Sequence, residues 1–196
     1  IAMDWSLILF ICIIIILFPL IIILSLWRYR TIKSLMEHQA MKRSGTVTGS
    51  FLLSVLKFPY REQTIVVISV PGSKYRHAKT EASMTLRKPA ADLTIVKESA
   101  AIRLGKALGA ADVQLGSDEF DREFRIKTTD EFFARNMLNF RLQQKLLEMK
   151  PQKPRLVLEG TRLAVGVPRV IKTEDGYDQL LDLIISVVDR LSELPA

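Results

Sequence analysis

Apolar and polar positions fall into two regimes along this chain. Over residues 5–27 the sequence WSLILFICIIIILFPLIIILSLW carries no charge, whereas charged residues recur every few positions beyond it. At about 1.5 Å per residue, a helix over that run is about 34 Å long, against a bilayer hydrocarbon core of about 30 Å. The pattern therefore predicts an N-terminal transmembrane helix within residues 1–27. Its boundaries fall at Trp5 and Trp27, whose indole rings suit the headgroup layer. Helix is favoured over strand despite the isoleucines, because lipid leaves backbone groups no partner but one another. Pro19 predicts a bend, since it frees the carbonyl of Ile15.

Residues 28–44 read as a basic juxtamembrane linker or helix, with Ile32, Leu35, Met36 and Met41 as its apolar members and Gly45 and Gly49 breaking it. Residues 45–196 then match one domain. Runs rich in β-branched side chains at 51–58 and 64–70, closed by Pro71-Gly72-Ser73, predict an antiparallel pair. Residues 78–88 and 93–96 predict two further strands, and 100–108 a short helix stopped by Gly109. FRIKT, at 124–128, reads as a strand handing over to a helix through the capping box Thr128-Thr129-Asp130-Glu131. That helix runs to about Lys150, where Pro151 and Pro154 end it. Residues 155–159 and 162–167 flank Gly160 and read as a hairpin.

The last helix begins near Thr173 and Glu174. Tyr177, Leu180, Ile184, Val187, Leu191 and Leu194 step by three and four along it, a stripe that packs on the domain's own sheet in preference to a partner helix. The fold class is α+β: a largely antiparallel sheet with two long helices on one face.

Charge adds an orientation. Only Asp4 precedes the apolar run, while Arg28, Arg30, Lys33, Lys42 and Arg43 follow it against the single acid Glu37. The positive-inside rule places the N-terminus outside and the domain in the cytoplasm, as a single-pass inner-membrane protein. The run is too long for a cleaved signal and lacks a positive start. Trp5, Trp27, Arg28, Arg30 and Lys33 are the expected membrane-interface residues.

Site chemistry is sparse. Cys12 is the only cysteine and the two histidines, His38 and His77, stand far apart, so neither a disulfide nor a Cys/His zinc site is supported. The acids Asp112, Asp118, Glu119, Asp121 and Glu123 lack the spacing of a calcium loop and read as a solvated, helix-flanking loop. Residues 71–74 and 105–109 lack the spacing of a phosphate loop, and no nucleophile elbow or zinc-protease helix occurs. No catalytic residue, metal or cofactor is assigned. The basic residues Lys74, Arg76, Lys79, Arg87 and Lys88 are candidates for contact with anionic lipid headgroups or an acidic partner. With no aromatic platform beside them, nucleic acid is not expected.

The motif Phe120-Asp-Arg-Glu-Phe124-Arg-Ile126-Lys-Thr128-Thr-Asp130, followed by Ala134-Arg135, resembles a poorly characterised bacterial family of membrane-anchored proteins with a domain of unknown function. The likeness covers residues 120–162 and implies a bacterial, membrane-anchored domain without known catalytic residues. In layout alone the chain is similar to the H subunit of purple-bacterial photosynthetic reaction centres. The expected function is therefore a non-enzymatic accessory subunit, packed through its span against other integral membrane subunits of an energy-transducing complex, photosynthetic or respiratory. The alternatives are a membrane-tethered lipid-sensing or assembly module and, third, a tethered enzyme using the acidic loop to hold a divalent ion.

Overall fold

Alternating apolar and polar side chains over residues 46–97 build four strands in succession, and each returns against the last. The computed structural model describes residues 5–50, 53–74, 76–98 and 113–194. The strands are β1 (Thr46–Ser50), β2 (Leu53–Tyr60), β3 (Gln63–Val70) and β4 (Lys79–Lys97), with β5 (Phe124–Thr128) and β6 (Arg155–Val167) following. All pairings are antiparallel. The 19-residue β4 organises the sheet. Its first half pairs with β3 and its second half with β5, while β6 runs along its other side.

The helices are α1 (Trp5–Lys42), α2 (Asp118–Glu123), α3 (Glu131–Met137), α4 (Phe140–Glu148) and α5 (Glu174–Glu193). The core lies between one face of the sheet and the helices. Leu56, Phe58, Ile65, Val67 and Met84 supply the strand side, and Tyr177, Leu180, Leu181 and Ile184 of α5 the helix side. Thr173 caps α5 by accepting from the Gly176 amide. Gly176 has no room for a side chain, because a Cβ there would lie 2.8 Å from Ile171 Cγ2.

Several expectations hold. FRIKT is a strand with the expected bounds, 64–70 lies within β3, and α5 starts at Glu174 and packs on its own domain. The sheet is antiparallel and the class is α+β.

The transmembrane element is corrected. Of the two readings of residues 28–44, the helical one holds: the apolar run is the first part of one 38-residue helix, α1, which continues unbroken to Lys42. Among the described residues, no helix is long and apolar enough to cross a membrane. The expected single-pass span, the outside N-terminus and the inner-membrane localisation fall with that finding. So do the roles of Trp5, Trp27, Arg28, Arg30 and Lys33 as the borders of a span. The second half of α1 belongs to the domain instead: Met36, Gln39 and Ala40 are buried, and the helix packs on β1, β2 and α5.

Four smaller expectations also change. The segments 78–88 and 93–96 are one strand, in which Pro89 falls in the register shift between Thr85 and Ala90, where no ladder bond is required of it. The segments 155–159 and 162–167 are likewise one strand, bent at Gly160 with φ 54°, and not a hairpin. The single helix expected up to Lys150 breaks at Leu138, and Asn139 starts a second helix by capping the Leu142 amide. The cap of α3 is Asp130, which accepts from Phe133, while Glu131 pairs with Arg135. The helix expected at 100–108 lies outside the described residues.

Candidate functional site

Where α1 passes the open end of the β2–β3 pair, the sheet, the helix and the segment leading into α5 enclose a cleft of about 1070 Å³. Trp27 and Ile32 of α1 form one wall. Leu53, Pro71 and Ala78 from the sheet side and Ile171 from the segment before α5 form the rest. The polar groups at the cleft are Ser54 and Ser69 from the sheet, Tyr29 and Thr31 from α1, Arg169, Lys172, Thr173 and Asp175 near α5, and the amides of Gln152 and Gln179.

The floor carries two buried hydroxyls, Ser54 and Ser69, and the hydroxyls of Thr80 and Tyr177 are buried behind them. Ser54 and Ser69 are direct cross-strand partners, and both are almost wholly buried. Thr80 Oγ1 donates to the Arg169 carbonyl at 3.0 Å and accepts from the Ile171 amide at 3.0 Å. Its single proton is thus committed, so in the 3.4 Å contact with Ser69 the serine is the donor. Below them the Tyr177 hydroxyl is buried without a hydrogen-bond partner. Burial pushes its phenol up to about 12, and the nearby Ser69 hydroxyl offsets this only in part, lying outside good bonding geometry. The segment before α5 is held in place by Arg169, which donates to the Pro151 carbonyl at 2.9 Å, and by the Gln152–Gln179 bond at 2.6 Å.

An electrostatic clasp fixes the α1 wall. His38 lies 3.1 Å from Glu174, and Lys42 bonds Glu174 and reaches Asp178 at 3.3 Å. Arg43 reaches Asp178 at 3.3 Å and sets its guanidinium 6.0 Å from the Phe58 ring centroid. Before the cleft, Leu20, Ile23 and Trp27 of α1 lie on one stripe by their spacing of three and four, and all are exposed. Trp27 is 68% exposed although it lines the cleft.

The basic residues singled out in the sequence do not form one patch. Lys74, Arg76 and His77 sit in the β3–β4 connection, where Ser73 and Arg76 exchange backbone bonds, and Lys79 begins β4 in an ion pair with Glu81 at 3.1 Å. Arg87 and Lys88 lie on β4 some eight residues on, about 26 Å along an extended strand, and Arg87 is paired with Glu62. Of the other candidates, Trp5 begins α1, Arg28 lies within it, Arg30 is exposed, and Lys33 pairs with Glu37 at 3.6 Å.

The acidic loop is structural. Asp121 accepts from the amides of Leu115 and Gly116, and Glu119 and Glu123 face Lys150. Asp112 lies outside the described residues. Among the described residues, no three His, Cys, Asp or Glu side chains come together to hold a metal ion. The residues that sequence reasoning missed are Ser54, Ser69, Thr80 and Tyr177, small polar or stripe positions that no motif marks.

The fold is thus an open antiparallel α+β sheet with helices over one face and a cleft at one end. No protein-family model and no curated protein matches the chain. Among solved structures the chain is similar to the mycobacterial trehalose monomycolate transport factor A, TtfA. That match has a TM-score of 0.55 and 14% identity, and it covers 85% of this chain and 95% of the other. At that identity the likeness is one of fold.

Proposed function

We propose that this domain is a non-enzymatic lipid-handling module that holds one amphiphilic molecule in the cleft between α1 and the sheet. The observation that carries the reading is the continuity of apolar surface. The exposed stripe Leu20, Ile23 and Trp27 leads directly into the cleft, so an acyl chain has apolar contact along its approach and in its seat. Burial of each methylene against such surface is worth about 0.8 kcal/mol. The cleft volume is at the upper end of the range of small-molecule sites, about 300–1,000 Å³. The Ser54 and Ser69 hydroxyls and the few charges near α5 supply the convergent polar groups that orient a head group.

The fold neighbour supports this reading by its name, that of a factor for transport of a lipid. Nothing in the fold or the comparison supports an accessory subunit of a photosynthetic or respiratory membrane complex. The test uses tryptophan emission. With Trp5→Phe, Trp27 is the sole indole, and a brominated acyl probe seated in the cleft quenches it. Ala78→Trp in the same chain fills the cleft, and because it adds a second indole, its binding is followed by native mass spectrometry. Quenching that saturates at one probe per chain, together with loss of the bound mass on filling, supports the reading; quenching that rises linearly without saturation overturns it.

A further inference from the structure

β6 is an outer strand of the sheet. It pairs with β4 along one side, and among the described residues no strand lies against the other. An edge of 13 residues unpaired by any described strand is long, and such edges are templates for another chain. The strand also changes phase midway. Leu156 and Leu158 face the core before Gly160, and Leu163 and Val165 face it afterwards, so the inward positions switch from even to odd.

We propose that β6 pairs antiparallel with β6 of a second copy of this chain, about a two-fold axis perpendicular to the sheet that passes between Gly160 and Thr161. Opposite residues in an antiparallel pair must point to the same face. A strand of uniform alternation that pairs with itself about a centre between two residues sets inward side chains against outward ones. The phase slip in β6 reverses that rule, and only a centre between two residues keeps every pair on one face.

Charge then selects the register. Centred on Gly160 and Thr161, Glu159 stands opposite Arg162 of the second copy, and Arg162 opposite the second copy's Glu159. Leu158 meets Leu163, and Val157 meets Ala164. Sliding the pair by two residues either way leaves both charges without an opposite. Among the described residues Glu159 is exposed without an ion pair, and the Arg162 side chain is 61% exposed, 3.4 Å from Glu81. The two-fold axis keeps both sets of helices on one side of a continuous sheet, the isologous arrangement of closed dimers.

The test uses the full chain in mild detergent, which covers the apolar part of α1, in a Cys12→Ser background. Chains carrying Glu159→Cys are mixed with chains carrying Arg162→Cys and oxidised. Opposite positions lie within disulfide reach, whereas each cysteine is about 10 Å from its own counterpart. A cross-linked dimer from the mixture and from neither variant alone is the expected result. No cross-link in the mixture, or equal cross-linking of a single variant, overturns the proposal. Charge reversal keeps the proposal testable if the cysteine chains fold poorly. Glu159→Arg lowers the dimer fraction about tenfold and Glu159→Arg with Arg162→Glu restores it, through two reciprocal cross-strand pairs. Failure of the double variant to restore the dimer overturns the register.

Discussion

Tyr60, at the end of β2, donates its hydroxyl to the Asp189 carboxylate of α5 at 2.6 Å. The next residue, Arg61, reaches the same carboxylate at 2.9 Å and also bonds Ser192. Arg61 and Glu62 form the two-residue β2–β3 turn with φ of 47° and 61°, a left-handed pair that most hairpins give to Asn-Gly. Tertiary anchoring on α5 compensates for the unfavourable turn residues. Burial, and then the bond to Asp189, raises the Tyr60 phenol above its usual value. Tyr60→Phe is expected to cost about 1 kcal/mol, since Arg61 still engages Asp189. Asp189→Ala removes both bonds and is expected to cost about 2 kcal/mol, and urea denaturation distinguishes the two.

The clasp between α1 and α5 has a defined pH window. The bond to Lys42 lowers Glu174 below 4.5. Burial pushes Asp178 up, but the nearby Gln39 amide and the bonds from Lys42 and Arg43 outweigh it and leave its pKa below 3.8. Depressed carboxylates contribute stability above their unfolded values and lose it as pH falls through the folded ones. Lys42 is raised above 10.5, chiefly by Glu174, so its share is complete below 10.5 and is lost as pH rises through the folded value. The hydrogen-exchange protection of residues 36–42, taken relative to the intrinsic exchange rate at each pH, is therefore expected to be highest between about pH 5 and 10 and to fall in acid. Asp178→Asn is expected to flatten the acid limb.

Tyr177 responds to alkali. Its phenol, held at about 12 by burial, stays neutral in the folded chain at pH values where an unfolded tyrosine ionises. Folding stability is thus unaffected below about pH 10 and falls between about 10 and 12, because the unfolded chain alone releases that proton. Tyr177→Phe removes a buried hydroxyl that lacks a partner. The expected change at neutral pH is neutral or stabilising by about 1 kcal/mol, with a shallower alkaline limb in thermal melts.

Met36 and Met41, five residues apart in α1, have opposite fates. Met36 is fully buried against the domain and Met41 is 75% exposed. Met36→Ala is expected to destabilise by about 2–5 kcal/mol and to loosen α1 from the sheet. Met41→Ala is expected to stay within about 0.5 kcal/mol. Equal effects in denaturant titrations would show that the second half of α1 does not dock as described.

What the sequence determined by itself is what short-range forces decide. Apolar alternation places FRIKT in a strand, and the wide stripe behind the Thr173 cap places α5 and its buried face. Each signal sits within a turn or two of the residues it governs. Tertiary structure decided the rest, because it depends on what lies opposite. Pro89 looks like a strand terminator, but β4 runs through it where the ladder skips a register. Gly160 looks like a hairpin turn, but β4 holds residues on both sides of it in one strand. Residues 28–44 look like a basic linker or a helical continuation of the run before them, and the acids of α5, remote in sequence, decide for a docked helix by turning Lys42 and Arg43 into a clasp above the buried Met36. The cleft floor follows the same logic: Ser54 and Ser69, which line it, and Thr80 and Tyr177 behind them carry no motif, and only strand register and the packing of α5 bring their hydroxyls together.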